Sequence, residues 1–253
     1  MGMKFAAIQH DIVWCDREAN FSHLSPLIAQ AAEHGAQFVL LSEMFSTGFV
    51  VDRHDIGEPV GGASSQFLSR MAAQHNIHIG GSCPEIEPDD IRPFNSFVVA
   101  SPNGTQQRYH KIHPFTYGGE DTYFRAGDQL MTITINNIRI SLFVCYDLRF
   151  SNEFWPLAPD TDVYLVPANW PASRREHWMS LLLARAIENQ AYVIGCNRVG
   201  SGGGLDYVGD SRIVSPIGDE LIASSGESII YADIDPEVVR SVRDSFPFMQ
   251  DRR

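Results

Sequence analysis

A thiol and a carboxylate, each placed where an apolar run gives out, and an ammonium set among aromatic and histidine residues are the residues of this sequence whose types together could carry covalent acyl chemistry. Cys145 follows the run Ser141-Leu142-Phe143-Val144 and precedes Tyr146-Asp147-Leu148-Arg149-Phe150. A cysteine where a buried strand stops can present its sulfur to a crevice while the following backbone N–H groups face a developing oxyanion. The same description fits a small buried core residue. With an ordinary pKa near ~8.5 only a few per cent of such a thiol is thiolate at neutral pH, so it needs a base and a cation nearby. Glu43 directly follows Phe38-Val39-Leu40-Leu41-Ser42, and a carboxylate placed there is costly unless paired or used. The alternative is a loop or helix-terminal glutamate. Lys111 stands among aromatic and histidine residues in Arg108-Tyr109-His110-Lys111-Ile112-His113-Pro114-Phe115. In a partly apolar pocket its ammonium would stabilise both a thiolate and an oxyanion, although most lysines are simply solvated.

Other spacings point away from chemistry. His110 with His113, and His75 with His78, have an i, i+3 separation but no acidic or cysteine partner in a zinc pattern, so no metal is expected. Gly200, Gly202, Gly203 and Gly204 precede a strand and lack the Gly-Lys-Ser/Thr of a phosphate loop, which leaves a hairpin loop.

The elements that must position these residues alternate between helix and strand. Lys4 to Gln9 reads as a buried strand; the stretch from about Ser22 to His34 places Leu24, Leu27, Ile28 and Ala31 on one helical face, ended by Gly35; Gln37 to Leu41 returns as a strand. A helix from about Ser64 leads into the strand Ile77 to Gly81. The second half repeats this order with strand Ile138 to Val144, a short helical turn after Phe150, strand Val163 to Val166, a helix from about Ser173 to Gln190, and strand Ala191 to Cys196. Ser173 and Glu176 stand in the capping-box relation. His78-Ile79-Gly80-Gly81-Ser82 parallels Val193-Ile194-Gly195-Cys196-Asn197, and Ser101-Pro102-Asn103-Gly104 parallels Ser215-Pro216-Ile217-Gly218 at nearly the same offset, which suggests an internal duplication. Two such units would stack sheet on sheet with helices outside, and periodicity alone leaves a single doubly wound sheet open.

Composition narrows the class. A chain of 253 residues, 44% hydrophobic, can bury one full α/β core, so a single domain over residues 1–253 is expected, with 236–253 an arm lying on this subunit or a neighbour. The net charge of −12 argues against nucleic acid and anionic lipid as partners. No apolar run reaches the ~20 residues of a membrane span, and Ala6 stands where a myristoylation motif wants Ser or Thr. Cys15, Cys83, Cys145 and Cys196 are widely spaced, as in a reduced cytoplasmic protein.

In the order Glu43, Lys111, Cys145, the three anchors and their surroundings resemble the Glu-Lys-Cys triad of the nitrilase-like carbon-nitrogen hydrolase superfamily. The likeness continues through Pro167-Ala168-Asn169-Trp170-Pro171, Arg185-Ala186-Ile187-Glu188-Asn189 and Tyr207-Val208-Gly209-Asp210-Ser211. Within the superfamily the chain looks most like the omega-amidases, which deamidate 2-oxoglutaramate and 2-oxosuccinamate. The resemblance implies a four-layer α-β-β-α sandwich with a pseudo-twofold repeat, often a homodimer, acting on a small amide without cofactor or metal. It implies Cys145 as nucleophile, Glu43 as general base, Lys111 as oxyanion cation and the Tyr146 N–H as a second oxyanion donor. Glu120 would be a second glutamate, in a loop that Gly118-Gly119 makes look flexible. Phe115, Arg149, Trp170 and Arg174 are candidates for contacts to substrate. Nitriles and N-carbamoyl amines are alternative substrates for the same machinery, and a catalytically silent metabolite-binding relative is the alternative of another class.

Overall fold

The computed structural model describes residues 2–252 apart from Asp89; Met1, Asp89 and Arg253, the last residue of the expected arm, lie outside the described residues. The first half holds strands β1 (Met3–Gln9), β2 (Phe38–Leu40), β3 (Glu58–Pro59), β4 (His78–Ile86), β5 (Phe94–Ala100) and β6 (Gln106–His110), with helices α1 (Arg17–Glu33), α2 (Ala63–His75) and the short α3 (Glu120–Tyr123). The second holds β7 (Thr132–Ile135), β8 (Ile138–Leu142), β9 (Val163–Ala168), β10 (Tyr192–Asn197), β11 (Val199–Gly202), β12 (Leu205–Val214), β13 (Glu220–Ser225) and β14 (Ser228–Ile234). Helices α4 (Ser151–Leu157), α5 (Arg175–Asn189) and α6 (Pro236–Ser245) complete it.

These strands form two seven-stranded sheets, ordered β14-β1-β2-β4-β5-β6 with β3 beside β4, and β11-β12-β10-β9-β8-β7 with β13 beside β12. In the first, β1, β2 and β4 run parallel and β5 and β6 return antiparallel; in the second, β8, β9 and β10 run parallel and β12 and β13 return antiparallel. The two sequence matches fall on equivalent places. His78 and Val193 lie in the third parallel strand of each half, and both Ser-Pro-x-Gly segments turn the following hairpin, so the duplication is visible in the topology.

The alternation of strand side chains explains why the first sheet is apolar on both faces. Phe5, Ala7, Phe38, Leu40, Phe97 and Val99 join the core between the sheets, where Ile140, Leu142, Leu165 and Ile194 meet them. Ala6, Ile8, Val39, Leu41, Val98 and Ala100 pack outward under Leu24, Ile28 and Ala31 of α1 and Phe67, Leu68 and Met71 of α2. Trp178, Leu182 and Ala186 of α5 cover the outer face of the second sheet. The result is the α-β-β-α sandwich.

Two helix starts differ from the expectation. Helix α1 begins at Arg17, five residues before Ser22, because the Asp16 carboxylate accepts from Ala19 N at 3.0 Å and caps it. The Ser173–Glu176 capping box does not form. Ser173 lies inside a 3₁₀ turn, Ala172–Arg174, and α5 starts at Arg175. Tertiary contacts pin that turn instead: Arg175 Nε donates to Asp210 Oδ2 at 2.6 Å and Trp170 Nε1 to Arg174 O at 2.8 Å. The C-terminal segment lies on its own chain. Arg243 Nη2 donates to Thr161 O at 2.7 Å, and the Arg252 guanidinium sits 3.7 Å from the centre of the Trp155 ring. Among the described residues no helix is long and apolar enough to cross a membrane.

Candidate active site

The carboxyl ends of β2, β6, β8 and β9 converge at one edge of the sandwich, and each is followed within three residues by a polar side chain of the site: Glu43, Lys111, Cys145 and Asn169. Parallel sheets open their ligand crevices at such ends. Here both sheets contribute, and residues 43, 111, 145 and 169, far apart in sequence, line one cleft of about 730 Å³, partly open to solvent.

Cys145 starts a 3₁₀ turn, Cys145–Arg149, immediately after the second-sheet strand ends, and is half-buried in the cleft. Its φ of +44° lies in the left-handed region that non-glycine residues adopt only when surroundings hold them there. Burial pushes the thiol well above its usual range and the adjacent Glu43 carboxylate pushes it further, against the opposing charge of Lys111. At rest the sulfur therefore carries its proton and faces a carboxylate that can take it.

That carboxylate belongs to a buried cluster. Lys111 Nζ donates to Glu43 Oε1 at 2.9 Å and to Glu120 Oε2 at 2.8 Å, with all three side chains at most 1% exposed. Burial works against the ammonium, but Glu120 and Glu43 outweigh it and hold Lys111 above the ordinary lysine range. Burial and the charge of Glu43 raise the Glu120 carboxyl against the pull of Lys111. The expectation of a flexible loop around Glu120 is wrong: the turn Phe115–Gly119 folds back, Phe115 N donates to Glu120 Oε2 at 2.6 Å, and Glu120 is the buried first residue of α3. The glycines serve the turn, Gly119 with φ +78°, and do not loosen it.

Three site residues escaped the sequence reading. Asn95 Nδ2 bridges the two carboxylates, donating to Glu43 Oε1 at 2.8 Å and Glu120 Oε1 at 3.1 Å. Asn169 N donates to the other Glu43 oxygen at 2.8 Å, and its Nδ2 to the Glu43 carbonyl. Asp147 accepts from Val144 N and His113 N, each at 2.9 Å. A signal existed for Asn95, an amide in the largely apolar strand Phe94-Asn95-Ser96-Phe97-Val98-Val99-Ala100, since a buried amide implies partners.

The walls carry the four residues expected to contact substrate, Phe115, Arg149, Trp170 and Arg174, together with Tyr146, the expected backbone oxyanion donor. Arg149 lies over Trp170 at 4.7 Å and Arg174 over Phe115 at 5.3 Å from the ring centres. Burial, with the neighbouring Arg174 charge, holds Arg149 below its ordinary pKa. Among the described residues neither guanidinium pairs with a carboxylate; Arg149 Nη2 lies 3.3 Å from His177 Nδ1. The paired histidines are occupied elsewhere, His110 stacked on Phe94 and His113 on Phe150, and among the described residues no group of side chains is arranged to hold a metal ion.

Comparison with known proteins agrees with this geometry. The family profile described as carbon-nitrogen hydrolase matches residues 4–244. The chain is 36% identical to the omega-amidase YafV of Escherichia coli K12, covering 99% of this chain and 96% of that protein. It is 31% identical to the 2-oxoglutaramate amidase of Bacillus subtilis, covering 100% and 98%. Among solved structures, XC1258 of Xanthomonas campestris, a CN-hydrolase superfamily protein with an arsenic adduct in its active site, superposes with a TM-score of 0.94 at 30% identity, covering 100% of this chain and 98% of that one.

Proposed function

The chain belongs to the carbon-nitrogen hydrolase family, and from that premise we propose that it hydrolyses the omega-amide of a 2-oxo acid, 2-oxoglutaramate or 2-oxosuccinamate, through a thioester on Cys145. The observation that carries the mechanism is the buried Glu43–Lys111–Glu120 cluster beside a half-buried cysteine at positive φ.

Cys145 attacks the amide carbonyl as Glu43 takes its proton, and the carbonyl π pair moves onto oxygen. Lys111 and the Tyr146 N–H hold that oxyanion. Each such donor is worth about 3 kcal/mol in the transition state. Collapse of the adduct breaks the carbon–nitrogen bond, and Glu43 returns its proton to the leaving nitrogen as ammonia departs. Water then enters, Glu43 removes a proton from it, and the thioester opens to the carboxylic acid and the free thiol. Glu120 and Asn95 hold the paired lysine and Glu43 in place. The substrate choice is supported by Arg149 and Arg174, two cleft guanidiniums without a carboxylate of their own, which suit the carboxylate at the far end of a 2-oxo acid amide. Exposed Leu183, Ile187 and Ile217 lie together outside the second sheet, an apolar patch that a second copy would cover in a cytoplasmic homodimer.

Intact-mass spectrometry after brief exposure to 2-oxoglutaramate, on the wild type and on Glu43→Gln, tests the mechanism. The acyl mass should appear on Cys145 and persist longer in Glu43→Gln; an adduct on any other residue refutes it. Ammonia release from a panel of amides, nitriles and N-carbamoyl amines tests the substrate class, and preference for a nitrile would overturn the amidase assignment.

A further inference from the structure

The 3₁₀ turn that carries Cys145 is tied to the segment that carries Lys111 by one of its own side chains, Asp147. Asp147 Oδ2 accepts from Val144 N at 2.9 Å and from Tyr109 OH at 2.8 Å, while Oδ1 accepts from His113 N at 2.9 Å. Val144 immediately precedes the nucleophile. Tyr109 and His113 stand two residues before and two residues after the lysine. We infer that Asp147 is a positioning residue for the reaction proposed above: its carboxylate sets the register between the Cys145 thiol and the Lys111 ammonium, and the site needs it ionised.

Three observations carry this. All three donors point at carboxylate oxygens, so each oxygen is used as an acceptor, and a proton on either would face an N–H or O–H already aimed at it. The backbone beside this carboxylate is strained, with φ +44° at Cys145, and such a conformation persists only when its surroundings over-determine it. The turn's other side-chain tethers lie away from the end bearing the thiol: Arg185 Nη2 from α5 donates to Leu148 O at 2.8 Å, and Arg149 Nη2 lies 3.3 Å from His177 Nδ1.

The charges around Asp147 favour a switch in the neutral to mildly acid range. It is fully buried, with Tyr109 and Lys111 acting on it from the first sheet and His113 from the following loop; around these, Cys145 lies two residues before it in the same turn, Glu153 of α4 lies against His113, and Arg185 of α5 donates to the Leu148 carbonyl. Burial pushes its carboxyl up to about 6, against the pull of Lys111 and of the donors from Val144, Tyr109 and His113. Tyr109 keeps its proton throughout, held well above the ordinary phenol range by burial and by Asp147 itself. As pH falls through about 6 the clamp acquires a proton that neither backbone N–H can accept and that the Tyr109 oxygen can take only by turning its own hydroxyl proton away.

Asp147→Asn separates this role from simple packing. The amide oxygen can keep Val144 N and Tyr109 OH, but its NH₂ then meets His113 N–H donor to donor. Alkylation of Cys145 by iodoacetamide, followed by intact mass, reads thiol placement without any assumption about substrate; kcat and KM for 2-oxoglutaramate read catalysis. In Asp147→Asn, alkylation and kcat should each fall by roughly 10- to 100-fold, with KM within about threefold of wild type. The wild-type alkylation rate, compared above and below pH 6, should lose a limb that the variant lacks. Tyr109→Phe removes one donor and should slow both rates by about fivefold. Alkylation within about twofold of wild type in either folded variant, or an unchanged pH limb in Asp147→Asn, overturns the inference; if Asp147→Asn does not fold, Tyr109→Phe decides alone. Failure of wild type to release ammonia would instead refute the substrate assignment, and leave the alkylation result to stand on its own.

Discussion

Replacing Glu120 with Gln separates charge from geometry at the heart of the site. Lys111 Nζ lies 2.8 Å from Glu120 Oε2 and 2.9 Å from Glu43 Oε1, one ammonium between two carboxylates. Removing one carboxylate leaves a neutral Lys111–Glu43 pair, so folding should lose little. What an amide cannot do is accept on both sides. Oε2 receives Lys111 and Phe115 N, and Oε1 receives Asn95 Nδ2 at 3.1 Å. If the Gln oxygen keeps Lys111 and Phe115, its NH₂ faces the Asn95 NH₂. If Asn95 turns to offer its oxygen, it withdraws the donor that it now places 2.8 Å from Glu43 Oε1. Either way one charge-assisted hydrogen bond to the carboxylate pair is lost, about 1.5–3 kcal/mol, or roughly 10- to 100-fold in rate. Steady-state ammonia release should show kcat lower by that factor and KM within about threefold, while the melting temperature falls by no more than about 4 °C. A kcat within about twofold of wild type would refute the assignment of Glu120 and Asn95 to holding the lysine, and a loss seen only in KM would move Glu120 to substrate binding.

Arg149→Leu and Arg174→Leu should each raise KM for 2-oxoglutaramate by about tenfold or more while leaving KM for a short uncharged amide nearly unchanged, measured as ammonia release; equal losses on both substrates would remove the carboxylate role. Asn197 holds the Asn169–Trp170 loop, its Oδ1 accepting from Trp170 N at 2.8 Å and its Nδ2 donating to Gly209 O at 2.8 Å. Asn197→Ala should therefore cost about 2–3 kcal/mol in urea unfolding and also lower kcat; a stability loss without a rate loss would separate that loop from Glu43. His10 is fully buried, and burial lowers its pKa from 6.5 to about 4. A depressed folded pKa contributes stability above pH 6.5 that is lost as pH falls towards 4, about 3 kcal/mol in all. Asp147, raised to about 6, works with the opposite sign over the same range, so the difference between His10→Phe and wild type in urea melts at pH 7.5 and pH 4.5 isolates the histidine. No pH dependence in that difference would contradict the burial argument.

Glu43, Lys111 and Cys145 were legible as candidates because each keeps its own local surroundings in an order that matches a known family, which is information along the chain. Their partners were not. Asn95, Asn169 and Asp147 hold the site through hydrogen bonds spanning 52, 126 and 34 residues of sequence separation, and separation of that kind leaves no periodicity to read. The capping box at Ser173 misled for a related reason: a local hydrogen-bond pattern was outcompeted by the Arg175–Asp210 pair from another strand. Gly118-Gly119 misled because glycine permits a mobile loop and a tight turn equally, and only the buried lysine beside Glu120 selects the turn.

By itself the sequence determined the alternating α/β order, the duplicated half and the three candidate side chains, since hydrophobic periodicity and local residue patterns are properties of short windows. Only the tertiary structure decided what state those side chains are in. The protonated resting thiol, the lysine held above its ordinary range and the raised Glu120 arise from burial and from charges brought within about 3 Å, and both exist only once two sheets from opposite halves of the chain close on one edge.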